Sequence, residues 1–174
     1  AGAVVEALIA DQKADSFVFS QLSAKTGYQS VQYLSHRKDL AWFYGGLGET
    51  LKATGRLKDA EGALRKAVEL REKVVADSPK SVEDQQALAT SYLNLGDLLK
   101  DAGRLKAAEE LVRKAIGAYR DARQGWAELL SKSPGDAEYL VKFVETSVAL
   151  IGLHNTAGRA MEAEAAFQDT LALL

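Results

Sequence analysis

The chain repeats itself. Displaced by 48 residues, Leu40–Ala67 falls on Leu88–Ala115, and 16 of the 28 aligned positions are identical. The coincident pairs include Leu40/Leu88, Ala41/Ala89, Tyr44/Tyr92, Leu47/Leu95, Gly48/Gly96, Leu51/Leu99 and Gly55/Gly103. Gly55-Arg56-Leu57-Lys58 returns as Gly103-Arg104-Leu105-Lys106, and Ala60-Glu61 as Ala108-Glu109. A third, weaker copy needs a displacement of 55: Leu95 falls on Leu150, Leu98 on Leu153, Gly103-Arg104 on Gly158-Arg159 and Ala108-Glu109 on Ala163-Glu164. Self-similarity at such a period implies an array of like units that bury their apolar faces against one another.

Each unit reads as a helical hairpin. Prolines occur only at Pro79 and Pro134, Ala, Leu, Glu, Lys and Arg dominate, and no sustained apolar–polar alternation marks a strand. Leu40, Tyr44, Leu47 and Leu51 recur every three or four residues, along one helical face. Gly55 suits the left-handed residue that ends a helix, because it has no Cβ to clash there. A second periodic segment, through Leu57, Ala60, Leu64, Ala67, Val68 and Val74–Val75, ends at Asp77-Ser78-Pro79. Ser81 with Asp84 has the spacing of an N-terminal capping box, and Asp136 is the equivalent N-cap after Pro134-Gly135.

These residues resemble the tetratricopeptide repeat, whose pattern runs from an aromatic through Leu-Gly and a further large residue to a turn glycine and an alanine in the second helix. The first copy matches it with Tyr44, Leu47-Gly48, Leu51, Gly55, Ala60, Leu64 and Ala67, and the second with Tyr92, Leu95-Gly96, Leu99, Gly103, Ala108, Val112 and Ala115. In the third, Leu150, Gly158, Ala163 and Phe167 fit, but Ser147 replaces the aromatic and Ile151 the glycine. The resemblance spans Leu34 to the end, with a longer period than the family's usual one. It implies an all-α, right-handed superhelical array of antiparallel helix-turn-helix repeats, a TPR-like α-solenoid.

Turn glycine to proline is 24 residues in the first copy and 31 in the second, while proline to the next glycine is 24 both times. The surplus thus falls in the outgoing helix of the second hairpin, through Tyr119, Ala122, Trp126, Leu129 and Leu130. The expected organisation is a divergent helical N-terminal cap or partial repeat over 1–30, then hairpins over 31–79, 80–134 (with the extended second helix) and 135–174. The cap would hold two short helices, around Val4–Ile9 and from Phe17 toward Gly27.

Composition narrows the function. Lys plus Arg (22) nearly balances Asp plus Glu (24), giving a net charge of −2, which argues against a dedicated nucleic-acid or anionic-membrane binder. Cysteine is absent, which excludes disulfides and thiolate chemistry. The longest apolar run, Val148 to Leu153, is too short to span a bilayer. A chain that opens without Met or a basic leader is expected to be processed, or a fragment of a larger protein. The compartment stays open, a soluble, cytoplasmic place being the one favoured.

Catalytic residues are not evident. His36 and His154 have no second histidine at metal-binding spacing, so no metal or cofactor is expected. His154, in register with Leu99, reads as a hydrogen-bonded packing residue. Gly45-Gly46-Leu47-Gly48 lacks the strand and the Lys-Ser/Thr of a phosphate loop. The basic pairs Arg65-Lys66 and Arg113-Lys114 lie among glutamates and read as solvated helix faces.

The resemblance implies instead a non-catalytic scaffold for protein–protein interaction, its first helices lining a concave groove. Carried over position by position, the peptide-binding candidates are Trp42, Glu49, Lys52, Thr90, Asn94, Asp97, Lys100, Asp101, Glu145 and Asn155. Gly45, Leu93, Val148, Ala149 and Gly152 line the same face. Trp42 is either an interface anchor or a residue packed on the N-terminal cap. Members of the family that grip carboxylate tails use Lys, Asn and Arg in slots that here hold Gly45, Glu49, Asn94, Glu145 and Ala149. Only Asn94 fits, so a neutral, mixed-charge or basic segment is the expected ligand. The other reading is a self-association or spacer module, because the sequence stops at Leu171-Ala172-Leu173-Leu174 with no polar helix behind it.

Overall fold

The computed structural model describes residues 29–174. The expected N-terminal cap over 1–30 therefore lies outside the described residues, save for the last two. The chain divides into two compact units, Ala1–His36 and Arg37–Leu174, and the repeats belong to the second.

Among the described residues six helices run in sequence, α1 Gln29–Ala53, α2 Leu57–Asp77, α3 Val82–Asp101, α4 Leu105–Lys132, α5 Ala137–Thr156 and α6 Ala160–Leu171. Among the described residues there is no strand. The fold is an all-α helical-repeat solenoid, in which α3 packs between α2 and α4, and α5 between α4 and α6.

The same turn closes each hairpin. Gly55, Gly103 and Gly158 have φ of 75°, 73° and 70°, a region in which a side chain is strained. Around each, two backbone bonds satisfy the last carbonyls of the preceding helix: Arg56 N–H to Leu51 O (2.9 Å) and Gly55 N–H to Lys52 O (3.0 Å), with matching pairs at Arg104/Leu99 and Arg159/His154. Between hairpins, α2 ends at Asp77 before Pro79, and Ser81 Oγ accepts the Asp84 N–H at 3.3 Å. Only this half of the capping box forms: the Ser81 N–H donates to Ser78 O at 3.0 Å, and the Asp84 carboxylate lies 2.7 Å from Lys38 Nζ on α1. Asp136 caps α5, accepting from the N–H groups of Glu138 (2.9 Å) and Tyr139 (3.1 Å).

The helical stripes make three apolar clusters. The largest joins Ala41, Tyr44 and Leu51 of α1 to Ala60, Leu64, Ala67 and Val74 of α2 and to Leu88, Tyr92, Leu95 and Leu99 of α3. A second holds Val82, Ala122, Trp126, Leu130 and Phe143, and a third Ala89, Ile116, Tyr119, Leu150 and Leu153. Leu57 and Leu105 sit at the start of their helices and are exposed instead of joining the stripe.

α4 has 28 residues against 21 in α2, about 10 Å of additional helix. Trp126 anchors that length, 2% exposed, with its Nε1–H donated to Gln86 Oε1 at 3.3 Å. At Gly125 the backbone approaches α3 so closely that a Cβ would lie 2.5 Å from Val82 Cγ2.

The third hairpin follows the pattern with different chemistry. Ser147, in the aromatic slot, is fully buried; its hydroxyl donates to Phe143 O at 2.7 Å and accepts from Arg123 Nε at 3.2 Å. The Arg123 guanidinium lies over the Phe143 ring, 5.5 Å from its centroid. His154 is buried as its register implies, but its Nδ1 has no hydrogen-bond partner, contrary to the expectation of a bonded packing residue. Phe167, which fits the repeat pattern, is 44% exposed because no further helix covers that side of α6 among the described residues.

Candidate interaction groove

The first helices of the hairpins carry the expected ligand residues, and the structure brings some of them together. Trp42 is 75% exposed on α1, off the stripe formed by Ala41, Tyr44 and Leu51. The alternative, Trp42 against the cap, concerns residues outside the described ones. Glu49 follows two turns later and is exposed.

From the end of α1, Lys52 Nζ reaches Asp101 Oδ2 on α3 at 3.0 Å. The Asp101 contact, opposed by partial burial and aided by the charges of Asp101, Glu49 and Asp97, holds the Lys52 ammonium above its ordinary pKa. One lysine thus sits among three carboxylates, leaving this stretch net acidic. Lys100 is exposed, and Asn94 is half-buried on α3.

Other candidates stand apart. The Thr90 hydroxyl lies 3.0 Å from the Tyr119 hydroxyl on α4, within its own hairpin. Glu145 is held by Lys142 of the same helix at 3.1 Å. Asn155 is exposed in the last turn of α5, where its carbonyl accepts from the Gly158 N–H.

Several residues escape a reading of the sequence. Val141, 52% exposed with Leu140 beside it, lies on α5 two turns before Val148, which the sequence already places on the groove face and which is 62% exposed. Their seven-residue spacing is the available signal for an apolar strip. Lys38 and Asp84 form a second link between α1 and α3, at the opposite end from Lys52 and Asp101. Nothing in a local pattern pairs residues from different repeats. The added turns of α4 also wall an open cleft of about 530 Å³, lined by Pro79, Lys80, Val82, Asp121, Glu128 and Lys132 among others.

Among the described residues, no cluster of His, Asp or Glu has the makings of a metal site, and no helix is long and apolar enough to cross a membrane. What the first helices of the hairpins offer chemically is an exposed aromatic, an apolar strip and fixed charges. These elements suit recognition of a chain segment.

Comparison with curated proteins finds no match. Among solved structures, the crystal structure of BtubC (BKLC) from P. vanneervenii is similar at 18% identity, covering 99% of this chain and 80% of that chain. Its TM-score of 0.39 is too low to bear on fold or function. The sequence profile of the tetratricopeptide repeat matches residues 40–80 and 88–123, the two copies that the internal alignment defines. Repeats of this kind generally mediate protein–protein interaction, and the proteins built from them are typically non-enzymatic scaffolds. With hairpins of this fold and a profile match to both regular copies, residues 40–80 and 88–123 are tetratricopeptide repeats.

Proposed function

We propose that the chain is a non-catalytic scaffold that holds a peptide or protein segment in the groove lined by α1, α3 and α5, as part of a larger protein. One observation carries the reading: Trp42, three-quarters exposed, shares a face of α1 with Glu49 and stands off the core stripe. A large aromatic in that position supplies apolar area at low entropic cost, as interface anchors do. Glu49, Asp97 and Asp101, only partly offset by Lys52, favour a segment that is neutral, of mixed charge or basic, and set its register. Glu49 and Glu145 disfavour a terminal carboxylate.

The test is affinity capture from native extract with the wild-type chain beside Trp42→Ala/Asp97→Lys, both checked as folded by circular dichroism. A protein retained by the first and lost by the second supports the groove; equal capture by both removes it.

A second reading, self-association or a spacer role through the C-terminal helix, is favoured by Met161, Phe167 and Leu171 on α6, which are 86%, 44% and 52% exposed. Light scattering over a concentration series separates the two, since mass rises with concentration only if copies pair.

A further inference from the structure

At the end of α5 the array puts an ionisable side chain where its other repeats put leucine. His154 is in register with Leu99 and Leu51, and all three are buried, at 4%, 1% and 7% exposure. The slot is apolar by construction. Leu150 and Leu153 beside it pack with Ile116 and Tyr119 of α4.

The position offers little to a second imidazole proton. Nδ1 is buried without a hydrogen-bond partner. The backbone carbonyl of His154 is already taken by the Arg159 N–H at 2.8 Å. The charged groups facing the ring are Glu162 from α6, Arg159 from the turn and Arg120 from α4, one carboxylate against two guanidinium groups. A neutral imidazole leaves one ring nitrogen without a proton, whereas the imidazolium carries N–H at both. Protonation would thus bury either a donor without an acceptor or a charge without a dedicated partner.

We propose that His154 is an acid-operated release for the third hairpin, docked while the ring is neutral and expelled from the Leu150–Leu153 core when it takes a proton, so that α5 and α6 loosen while the first two repeats stay folded. The release needs no ligand and is independent of the groove reading. Burial is the main force holding the imidazole below its ordinary pKa; Glu162 opposes it, and Arg159 and Arg120 add to it. Because the folded state prefers the neutral ring, stability is full above the unfolded value, about 6.5, and falls as pH drops below it. The fall levels off beneath the folded value. In an array held by nearest-neighbour contacts, the loss is confined to the hairpin that bears the histidine.

His36 is the only other histidine, so the two imidazoles can be followed separately by NMR. The experiment titrates both from pH 7.5 to 5 and measures amide hydrogen exchange, corrected for the intrinsic rate, in the wild type, His154→Leu and Glu162→Gln. His154→Leu installs the residue of the other two repeats. The expected result is a His154 midpoint below about 6.5, with α5 and α6 amides opening about tenfold more for each pH unit of that depression. Amides of α2 and α3 keep their protection. In His154→Leu the acid-induced opening disappears, and in Glu162→Gln the midpoint moves lower still. A midpoint at or above 6.5, or acid opening of α5 and α6 that persists in His154→Leu, overturns the proposal.

Discussion

Polar links tie the first repeat to the second: Lys38 to Asp84, Lys52 to Asp101, Tyr92 to Glu72 and Arg104 to Glu61. Between the second repeat and the third, the polar links among the described residues run through Arg123, to Ser147 and Asp169, and two apolar clusters do most of the joining. The first joint has charges near its rims, which fix how adjacent helices register. The second rests on buried area, and α4 supplies it by running on through Trp126 and Leu130. The first joint therefore adds ion pairs to a large apolar cluster, whereas the second depends on two apolar clusters and Arg123.

The largest expected effect breaks the second joint. Trp126→Ala removes the anchor of the α4 extension, which has no counterpart in the first repeat, and costs about 3–5 kcal/mol. Denaturant unfolding measures the loss, and hydrogen exchange places it in α4 and α5.

Next comes the first joint. Lys38→Met removes the ion pair of the Asp84 carboxylate, whose side chain is 4% exposed, leaving Arg71 of α2 as the charge acting on it, and costs on the order of 2 kcal/mol. The double variant with Asp84→Leu recovers part of that loss, since the buried carboxylate goes while the partly buried Arg71 loses the charge that favours it.

A third comparison lies inside the repeats. A Cβ at Gly48 would sit 2.6 Å from Leu64 Cγ and Cδ2, whereas at Gly96 the nearest atom, Leu111 Cβ, is 3.5 Å away. Gly48→Ala is expected to destabilise by about 1–2 kcal/mol, since overpacking outweighs the gain in helix propensity. Gly96→Ala is expected to stabilise by about 0.5–1 kcal/mol. Thermal melts of the two variants decide it, and equal shifts of the same sign would remove the distinction.

Salt gives the smallest effect. Raising NaCl from 0.1 to 1 M weakens the exposed Lys52–Asp101 and Arg104–Glu61 links by less than about 1 kcal/mol in total. Hydrogen exchange then rises at the first joint and not at the second.

Whatever acts locally is legible in the sequence. Gly55, Gly103 and Gly158 declare their turns because a positive φ is a property of one residue. Asp136 declares a helix start because its carboxylate serves its own next turn. The core stripe of α1 follows from periodicity alone. Burial of His154 follows from register, but the lack of a partner at Nδ1 depends on which groups three other segments bring to it. Ser147 in an aromatic slot looks like a defect until α4 brings Arg123 to its hydroxyl. The groove residues sort the same way. The face that bears Trp42 is readable, whereas the Lys52–Asp101 pair joins side chains from different repeats.

The surplus in α4 also has a phase. Each helical residue turns the chain by about 100°, so seven residues turn it by about 700°, within about 20° of two full revolutions. An addition of three or four would rotate everything beyond it by about 40–60° and swing the Trp126–Leu130 stripe away from Val82 and Phe143. Seven shifts the following hairpin along the axis while leaving the inward side inward. The array can therefore change its spacing between one unit and the next without changing which side chains meet there.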